Sequence, residues 1–148
     1  GLVDIYMPDL KYASPQLSAD YSNAPDYVDF AIPAIREMYR QVGSPRFDDD
    51  GTMIGGLIVR HLVLPACRAD SIRVLELLAQ ALPPDDILLS LMSQYTPEFA
   101  LDCKFNNLKR RLTSFEYQSV VDQAVRLGFD GFIQSRSSAV SDYTPKFK

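Results

Sequence analysis

The chain has 148 residues, of which 47% are hydrophobic and 23% are charged, a composition typical of one globular domain with a substantial core. The net charge of −4 gives no basic surface for nucleic acid, and the sequence has neither an apolar run of membrane-helix length nor a secretory signal pattern. We therefore expect a cytoplasmic protein that binds neither nucleic acid nor membranes. The one basic cluster, Lys109-Arg110-Arg111, is interpreted as a solvated loop or helix start.

The two cysteines, Cys67 and Cys103, are far apart in the sequence, with no second Cys or His at the spacing of metal ligands. This pattern argues against a cysteine-rich zinc or iron–sulfur site formed by these residues alone. A disulfide between them stays open as an alternative, although a cytosolic α/β protein normally keeps its thiols reduced. We assign both cysteines a structural or incidental role.

The N-terminal third predicts a strand followed by a helix. Val3–Leu10 is interpreted as a strand that carries the polar sequence DLK at its exit. Ala13–Tyr27 is predicted to be a polar connection, too interrupted by Pro and Asn to be helical throughout. From Asp26 to Gly43, apolar residues recur at spacings of three and four. We expect the regular helix to begin near Pro33, because proline suits a first helical turn.

The segment Ser44–Gly56 is predicted to be a loop with its turn at Asp50-Gly51. The next run, Leu57–Leu64, is short, apolar and rich in β-branched residues, which is typical of a strand buried on both faces of a parallel sheet. Arg60 and His61 interrupt this run. Because burying an unpaired guanidinium is costly, we expect Arg60 to meet an anion, a carboxylate or a cavity.

A second helix and a third strand follow. The apolar spacing predicts a helix over Ala69–Leu82, with Asp70 or Ser71 as its N-terminal cap. Pro83-Pro84 ends this helix. Ile87–Met92 is predicted to be the third strand.

The C-terminal third begins with a long irregular stretch, Ser93–Leu112. The next four residues, TSFE at positions 113–116, have the form of a capping box and predict a helix that ends near Leu127-Gly128. A short last strand, Phe129–Gln134, and a polar tail, Ser135–Lys148, complete the chain. The inward-facing residues of this helix are predicted to be Phe115, Val120, Val121, Ala124 and Leu127.

The order β-α-β-α-β-α-β predicts an α/β fold with a parallel sheet and right-handed helical crossovers. About four strands and three helices fit either a fragment of a TIM-type (β/α) barrel or a small open sheet. Residues 1–134 form this one domain, and residues 135–148 are the tail. In such sheets, ligands bind beyond the carboxyl ends of the strands.

Polar residues follow the predicted strands at these carboxyl ends. By strand parity, Asp9 and Lys11 share one face of the first strand, Arg60 lies on an apolar face of the second, and Tyr95 follows the third. If these side chains converge, they suit a ligand with a carboxylate, an amine and ribose hydroxyls. The alternative is a plain ion pair between Asp9 and Lys11 at the strand end, with Arg60 only neutralising a buried Asp.

Two further polar residues are predicted to point elsewhere. His61 lies on the opposite face from Arg60, toward the helices, and is interpreted as a hydrogen-bonded packing residue. Gln94 points away from Tyr95 if the third strand stays regular that far. The sequence contains no glycine-rich phosphate loop, nucleophile elbow or metal-binding helix motif.

At these strands the sequence resembles a known family. The resemblance rests on four segments: DIYMPDLKY at 4–12, VRHLVLP at 59–65, LMSQYTP at 91–97 and RLTSFEYQSVVDQAVRLGFDGFIQ at 111–134. Together they resemble the C-terminal half of radical S-adenosylmethionine enzymes, in particular the pyruvate formate-lyase activating enzyme family and its relatives. The resemblance covers most of the chain, and it is the combination of motifs that is specific.

The resemblance implies a six-stranded (β/α) partial barrel, of which this chain would supply the last three main strands. Members of the family hold a [4Fe–4S] cluster in a CxxxCxxC loop, and the cluster binds S-adenosylmethionine and cleaves it reductively to a 5′-deoxyadenosyl radical. Activating enzymes use that radical to abstract hydrogen from a glycine of a partner, a glycyl-radical enzyme. The resemblance thus implies an oxidoreductase whose partner is another protein.

Carried over by position, the resemblance makes Asp9, Lys11 and Arg60 candidate contacts to S-adenosylmethionine. Tyr95 stands near the place where better-known activating enzymes have a histidine beside the adenine. Tyr95 and its neighbour Gln94 therefore complete the set of cofactor-binding candidates. No catalytic or metal-binding residue is assigned within this sequence.

The sequence departs from the family because it lacks CxxxCxxC, the first three strands and the glycine-rich S-adenosylmethionine motif. We therefore expect a C-terminal piece of a longer enzyme, inactive alone and without a tightly bound cofactor. A sheet cut between strands exposes an edge and an uncovered face, so we expect self-association, shielding by the tail, or rearrangement.

Two alternatives stay open. One is a non-catalytic α/β module that binds a small anionic ligand or a partner protein. The other is a different radical reaction on the same scaffold, such as methylthiolation or peptide modification.

Overall fold

The computed structural model describes residues 1–133, which form five strands and four α-helices. The α/β fold class predicted from the sequence is confirmed, with one strand and one helix more than expected. In chain order the elements are β1 (Ile5–Tyr6), α1 (Pro15–Ser22), α2 (Tyr27–Val42), β2 (Arg46–Phe47), β3 (Met53–Leu62), α3 (Arg68–Ala81), a 3₁₀ turn (Pro84–Asp86), β4 (Leu88–Met92), two further 3₁₀ turns (Pro97–Ala100 and Asn106–Lys109), α4 (Ser114–Leu127) and β5 (Asp130–Ile133).

Four strands run parallel in the order β1-β3-β4-β5, and β2 pairs antiparallel with the beginning of β3. The strand order advances in one direction along the chain. Right-handed crossovers then place the connecting helices on one face of the sheet, whereas the order of a doubly wound sheet reverses and places helices on both. The order of the four parallel strands is the one that consecutive strands have in a (β/α) barrel.

The two faces of the sheet differ in burial as this topology requires. Alternate residues of β3 and β4 are buried, among them Leu57, Val59 and Leu91. They pack in one core cluster with helix residues such as Ile35 and Val120. The residues that alternate with them are only partly buried from Ile58 onward in β3 and from Ser90 onward in β4, whereas Leu88 on the same side is buried. We call this side the open face and define it by Ile58, Arg60, Leu62, Ser90 and Phe132.

The first strand is shorter than the predicted Val3–Leu10. Only Ile5–Tyr6 is continuous strand, and pairing with β3 resumes as an isolated bridge between Asp9 and Arg60. Pro8 has no N–H and cannot donate to the ladder. Its carbonyl still accepts from the Arg60 N–H at 2.9 Å, which keeps the chain alongside β3.

The helices before β3 also differ from the prediction. Within the predicted connection, α1 forms from Pro15, and the Ser14 hydroxyl caps it by accepting from the Leu17 N–H at 3.3 Å. The expectation that the second helix begins near Pro33 is wrong, because α2 already starts at Tyr27 and runs through that proline. The apolar side of α2 packs on the core, and this packing offsets the backbone hydrogen bond that Pro33 cannot make.

The predicted loop Ser44–Gly56 is instead a β-hairpin, made of β2 and the start of β3. Its turn does lie at Asp50-Gly51, as predicted. Gly51 has φ of 80°, a left-handed conformation that favours glycine, and its N–H donates to the Asp48 carbonyl at 3.0 Å. The Asp48 carboxylate accepts from the backbone N–H of Asp50 and Thr52 at 3.0 and 2.8 Å, so the turn is held from within.

The predicted N-terminal cap of α3 is also wrong. Cys67 occupies the N-cap position, but its side chain makes no capping hydrogen bond, and both Asp70 and Ser71 already lie inside the helix. Neither is the cap. The Asp70 carboxylate instead accepts from the backbone N–H of Ala13 and Ser14, at 3.2 and 2.7 Å, and so ties α3 to the chain that follows β1.

The capping box at α4 is confirmed: Thr113 and Glu116 exchange side-chain and backbone hydrogen bonds. The prediction that Phe115 faces inward is wrong, because this ring is 69% exposed and lies under the guanidinium of Arg68, 5.1 Å from the ring centre. Tyr117 is buried in its place and donates to the Leu91 carbonyl at 2.9 Å.

The chain ends, as far as it is described, in β5. This strand lies inside the predicted span of residues 129–134, while residue 134 and the predicted tail lie outside the described residues. In the described part of the chain, no helix combines the length and the apolarity that a membrane crossing requires.

Candidate functional site

Asp9 and Arg60 meet at the carboxyl end of the sheet. The backbone of β3 binds the chain on both sides of Asp9, because the Arg60 carbonyl accepts from the Leu10 N–H at 2.9 Å. The Arg60 Nε donates to Asp9 Oδ1 at 2.7 Å, and the two side chains are 40% and 36% exposed. Arg60 therefore meets a carboxylate, as expected, but that carboxylate is not buried. The pair faces outward on the open face.

Ser90 extends this pair into a polar row across three strands. It is the register partner of Arg60 on β4, and it is also partly exposed. Paired residues in neighbouring strands project to the same side of a sheet. The open face thus presents a carboxylate, a guanidinium and a hydroxyl side by side, surrounded by apolar residues. Sequence reasoning missed Ser90, and the available signal was a lone serine inside the apolar run of β4.

Lys11 lies two positions after Asp9, but the Asp9 carboxylate forms its ion pair with Arg60 and not with Lys11. The residue is exposed, and its backbone N–H donates to the Tyr27 hydroxyl at 3.0 Å. That hydroxyl in turn donates to the Asp9 carbonyl at 2.8 Å. Burial raises the pKa of Tyr27, so the phenol stays protonated and keeps donating at neutral pH. Tyr27 thus fixes the backbone that follows β1 through two hydrogen bonds.

Tyr95 and Gln94 lie beyond the last residue of β4, Met92, so strand parity does not extend to them. The Tyr95 hydroxyl donates to the Leu108 carbonyl at 2.6 Å, and burial raises the pKa of Tyr95. Gln94 is exposed. The hydrogen bond directs the Tyr95 hydroxyl toward the 3₁₀ segment and not toward the Asp9–Arg60 pair.

His61 lies on the helix-covered face, as predicted. It is buried between the Leu10 carbonyl, 2.6 Å from Nδ1, and the Ser71 hydroxyl, 2.8 Å from Nε2. A carbonyl only accepts, so Nδ1 carries the proton and donates, and a neutral ring then accepts from Ser71 at Nε2. Burial lowers the pKa of His61, which keeps the ring neutral. The residue links β3, the exit of β1 and α3.

A second concave feature, absent from the sequence prediction, lies at the same end of the sheet. It is a cleft of about 600 Å³ between α1 and the start of α3. Cys67, Tyr21 and Asn107 line it together with Asp70. The Asn107 amide donates to the Tyr21 hydroxyl at 2.8 Å and to the Pro65 carbonyl at 3.2 Å, which fixes the 3₁₀ segment across one end of the cleft.

Cys67 is buried in the wall of this cleft, with its sulfur 3.8 Å from the Tyr21 oxygen. Burial raises the pKa of the Cys67 thiol, and it raises the pKa of Tyr21 to about 12. Both groups are therefore protonated at neutral pH. The arrangement does not favour a nucleophilic thiolate, which needs a lowered thiol pKa.

Glu116 ties together the loops that follow β3 and β4. Its carboxylate accepts from the Ala66 N–H at 2.7 Å and from two guanidinium nitrogens of Arg110 at 2.9 and 2.7 Å, besides its bonds within the capping box. The hydrogen bond from Arg110 is the main cause of a Glu116 pKa well below its usual range. Arg110 is thus a structural partner, which the interpretation of residues 109–111 as a solvated cluster did not foresee.

Ala66 adopts a left-handed conformation, with φ of 61°, at the point where Glu116 holds its N–H. Non-glycine residues rarely adopt this conformation, because the side chain approaches the backbone. The β3–α3 loop is therefore held in place against a local strain, beside the cleft that contains Cys67.

Within residues 1–133, no group of three or more His, Cys, Asp or Glu side chains could hold a metal ion. Comparisons of the chain with protein-family models, with curated proteins and with solved structures found no match.

Proposed function

We propose that this chain is the C-terminal portion of a cytoplasmic radical S-adenosylmethionine enzyme that activates a glycyl-radical enzyme. The observation that carries the proposal is the polar row of Asp9, Arg60 and Ser90 on the open face of a one-sided parallel sheet. In a (β/α) barrel this face lines the interior, and ligands bind at the carboxyl ends of its strands. The resemblance of the strand sequences to that family supports the same assignment.

The donors and acceptors on this row suit the polar parts of S-adenosylmethionine. Arg60 is a donor for the methionine carboxylate, and Asp9 is an acceptor for its ammonium group or for ribose hydroxyls. Both side chains are partly exposed, so a ligand can reach them. Lys11, Gln94 and Tyr95 remain proposed cofactor contacts on the resemblance alone. When bound in the assembled enzyme, the cofactor would supply the 5′-deoxyadenosyl radical.

The described residues offer no ligand set for a [4Fe–4S] cluster. In this proposal the cluster is held by the remainder of the longer protein, and the present residues bind and orient the organic part of the cofactor. Hydrogen bonds from the Tyr27 hydroxyl and the buried His61 ring fix the backbone at Asp9 and Leu10 from the helix-covered side of the sheet. The open face of Ile58, Leu62 and Phe132 would exclude water once the other half of the barrel covers it.

The proposal is tested on the protein encoded by the longer reading frame, reconstituted with iron and sulfide and then reduced. We expect cleavage of S-adenosylmethionine to 5′-deoxyadenosine, measured by chromatography. Arg60→Ala should lower the rate, whereas Arg73→Ala should not, because Arg73 lies on α3 in an exposed pair with Glu76. A reading frame without a CxxxCxxC sequence upstream, or a reduced protein that cleaves no S-adenosylmethionine, would refute the proposal.

The cleft beside Cys67 favours a second candidate function. A cleft of about 600 Å³ lies within the range of small-molecule sites, and it needs no second half of a barrel. The chain would then be a non-catalytic module that binds a small ligand. Binding of a small molecule by the present chain alone, lost in Asn107→Ala and retained in Arg60→Ala, would support this candidate over the first.

A further inference from the structure

Three tyrosine rings form a continuous chain behind the candidate site. The ring centres of Tyr27 and Tyr12 are 5.6 Å apart, and those of Tyr12 and Tyr21 are 6.2 Å apart, both in edge-to-face contact. Such contacts are common in protein cores and by themselves indicate packing. The two ends of this chain, however, lie at chemically distinct places.

One end of the chain lies at the candidate site, and the other lies at a thiol. The Tyr27 hydroxyl donates to the carbonyl of Asp9, the residue that pairs with Arg60. At the far end, the Tyr21 oxygen is 3.8 Å from the sulfur of Cys67. The rings thus join the carboxyl end of β1 to the cleft on the other side of α1.

The protonation states suit transfer of electrons together with protons. The phenols of Tyr27 and Tyr21 and the Cys67 thiol all have raised pKa values because of burial, so each carries its proton at neutral pH. Tyr12, in the middle, shares a hydrogen bond of 2.9 Å with the Ser22 hydroxyl, and Ser22 is exposed. A proton can therefore leave Tyr12 toward water and return by the same route.

We propose that Tyr12 and Tyr21 carry one-electron oxidising equivalents from the strand-end site, across the intervening ring of Tyr27, to the thiol of Cys67. The identity of the natural oxidant, a carbon-centred radical, rests on the proposed function. The path itself does not depend on it, since any one-electron oxidant at this end of the sheet would start the same transfer.

Each step of the transfer conserves electrons and protons. The oxidant takes one electron from Tyr12 across the ring of Tyr27, which is not itself oxidised, and the phenolic proton of Tyr12 moves to the Ser22 side. Tyr21 then reduces the Tyr12 radical, which regains its proton, while the phenolic proton of Tyr21 passes to water in the cleft. The Tyr21 radical takes the hydrogen atom of Cys67, so that the S–H bond breaks and an O–H bond forms. Overall the oxidant gains one electron, Cys67 becomes a thiyl radical, and one proton is released. Water keeps this proton when the oxidant is a metal complex, whereas a carbon-centred radical takes up a proton together with the electron as its new C–H bond forms.

The test uses the present chain with photogenerated ruthenium(III) tris-bipyridine as the oxidant and a nitrone spin trap. A thiyl radical adds to the nitrone carbon, and mass spectrometry locates the resulting C–S bond. Cys67 is buried and Cys103 is only partly so, which makes Cys103 the reference thiol within the same molecule. In the dark, an alkylating reagent should modify Cys103 faster than Cys67, because access and thiolate content control that reaction.

In the light, we expect the order to reverse, with more nitrone adduct at Cys67 than at Cys103. Tyr12→Phe should lose most of the Cys67 adduct and keep the Cys103 adduct, because it retains the ring but removes the phenolic hydrogen. Tyr39→Phe is the matched control, since Tyr39 donates to Asp86 outside the chain of rings, and it should behave as the wild type. Thermal unfolding followed by circular dichroism checks that both variants fold.

The proposal is overturned if the wild type carries more nitrone adduct at the more exposed Cys103 than at the buried Cys67. It is also overturned if a folded Tyr12→Phe variant forms as much Cys67 adduct as the wild type. If Tyr12→Phe does not fold, the proposal is tested by the lifetime of the tyrosine phenoxyl radical, followed by its absorption. The relay predicts a longer lifetime in Cys67→Ala than in the wild type, and equal lifetimes would refute it. Neither readout involves S-adenosylmethionine, so failure here is distinguishable from failure of the proposed function.

Discussion

Ala66 carries a backbone strain that a single substitution relieves. Ala66 has φ of 61° and an exposed side chain. Ala66→Gly therefore removes the steric cost of the left-handed conformation and leaves no cavity. We expect the free energy of unfolding to rise by about 1 kcal/mol, since a left-handed non-glycine residue costs roughly 1–2 kcal/mol and the added freedom of the unfolded glycine offsets part of that gain.

Urea denaturation measures this change, and Ala69→Gly is the control. Ala69 lies in the first turn of α3, where glycine should lower the free energy of unfolding by about 0.5–1 kcal/mol. If both glycine variants destabilise equally, Ala66 is not strained.

The charge of Glu116 holds two loops at the carboxyl ends of the strands, because its carboxylate binds Ala66 and Arg110. Glu116→Gln keeps the shape but removes the charge that Arg110 and the Ala66 N–H bind. We expect a loss of about 1.5–3 kcal/mol of unfolding free energy at pH 7, the range for hydrogen bonds to charged groups. Glu76→Gln should lose less than about 1 kcal/mol, because its pair with Arg73 is exposed.

The difference between wild type and Glu116→Gln should depend on pH. The pKa of Glu116 in the folded chain is depressed from its ordinary value of 4.5, so its contribution is complete above that value. The contribution is lost as the pH falls below 4.5 toward the folded pKa. Urea denaturation between pH 7 and pH 3 should show the two proteins converging, and a constant difference would contradict this role of the charge.

At the scale of elements, α2 contains a proline that the sequence predicts at its start. Pro33 is exposed and lies well inside the helix, so it removes one backbone hydrogen bond without contributing to the core. Pro33→Ala should therefore raise the free energy of unfolding, by about 1–3 kcal/mol given the roughly 3 kcal/mol cost of an interior proline.

Pro15→Ala is the matched control, because Pro15 is the first residue of α1, where the N–H has no helical partner. We expect little change there in thermal unfolding. A Pro33→Ala variant no more stable than wild type would show that α2 adapts its backbone to the proline without cost.

Structural features that depend on residues close together in the sequence could be predicted, whereas features that depend on residues far apart in the sequence could not. The capping box of Thr113 and Glu116 depends on residues three positions apart, and its helix begins and ends as expected. The role of Asp70 depends on Ala13 and Ser14, more than fifty positions away, so a rule based on local spacing assigned it to a cap. With 3.6 residues per turn, Phe115 lies on the side of α4 opposite to Val120, Val121 and Ala124, so it is exposed and its ring contacts Arg68 instead of the core.

The same distinction holds at the candidate site. The meeting of Asp9 and Arg60 follows from parallel strands of known parity, because strands fix both direction and face. Tyr95 lies beyond the end of β4, and its hydroxyl is held by Leu108 in a segment with no repeating pattern. The cleft at Cys67 joins three stretches of chain, and no spacing in the sequence indicates it.

At the scale of the whole molecule, the described residues leave one side of the sheet without a covering layer. Met7 and Phe132 on this side are 52% and 55% exposed. We expect the chain to bind an apolar dye or to self-associate, since contiguous apolar surface favours both. Met7→Gln and Phe132→Gln should lower dye fluorescence or the associated mass in light scattering, without loss of thermal stability.

Phe30→Gln serves as the control for this prediction, because Phe30 is also exposed but lies on α2. A soluble monomer that binds no dye, or an equal effect of Phe30→Gln, would contradict an accessible open face.

The measurement that tests the central claim most directly is the affinity of the longer, cluster-loaded protein for S-adenosylmethionine. Equilibrium dialysis would compare the wild type with Asp9→Ala, Lys11→Ala and Arg60→Ala, with Arg73→Ala as the control. We expect losses of about 1.5–3 kcal/mol in binding free energy for Asp9→Ala and Arg60→Ala, the range for hydrogen bonds to charged groups, and none for the control. Unchanged affinity in both strand-end variants, with the cluster fully assembled, would show that the Asp9–Arg60 pair is structural and contradict the account.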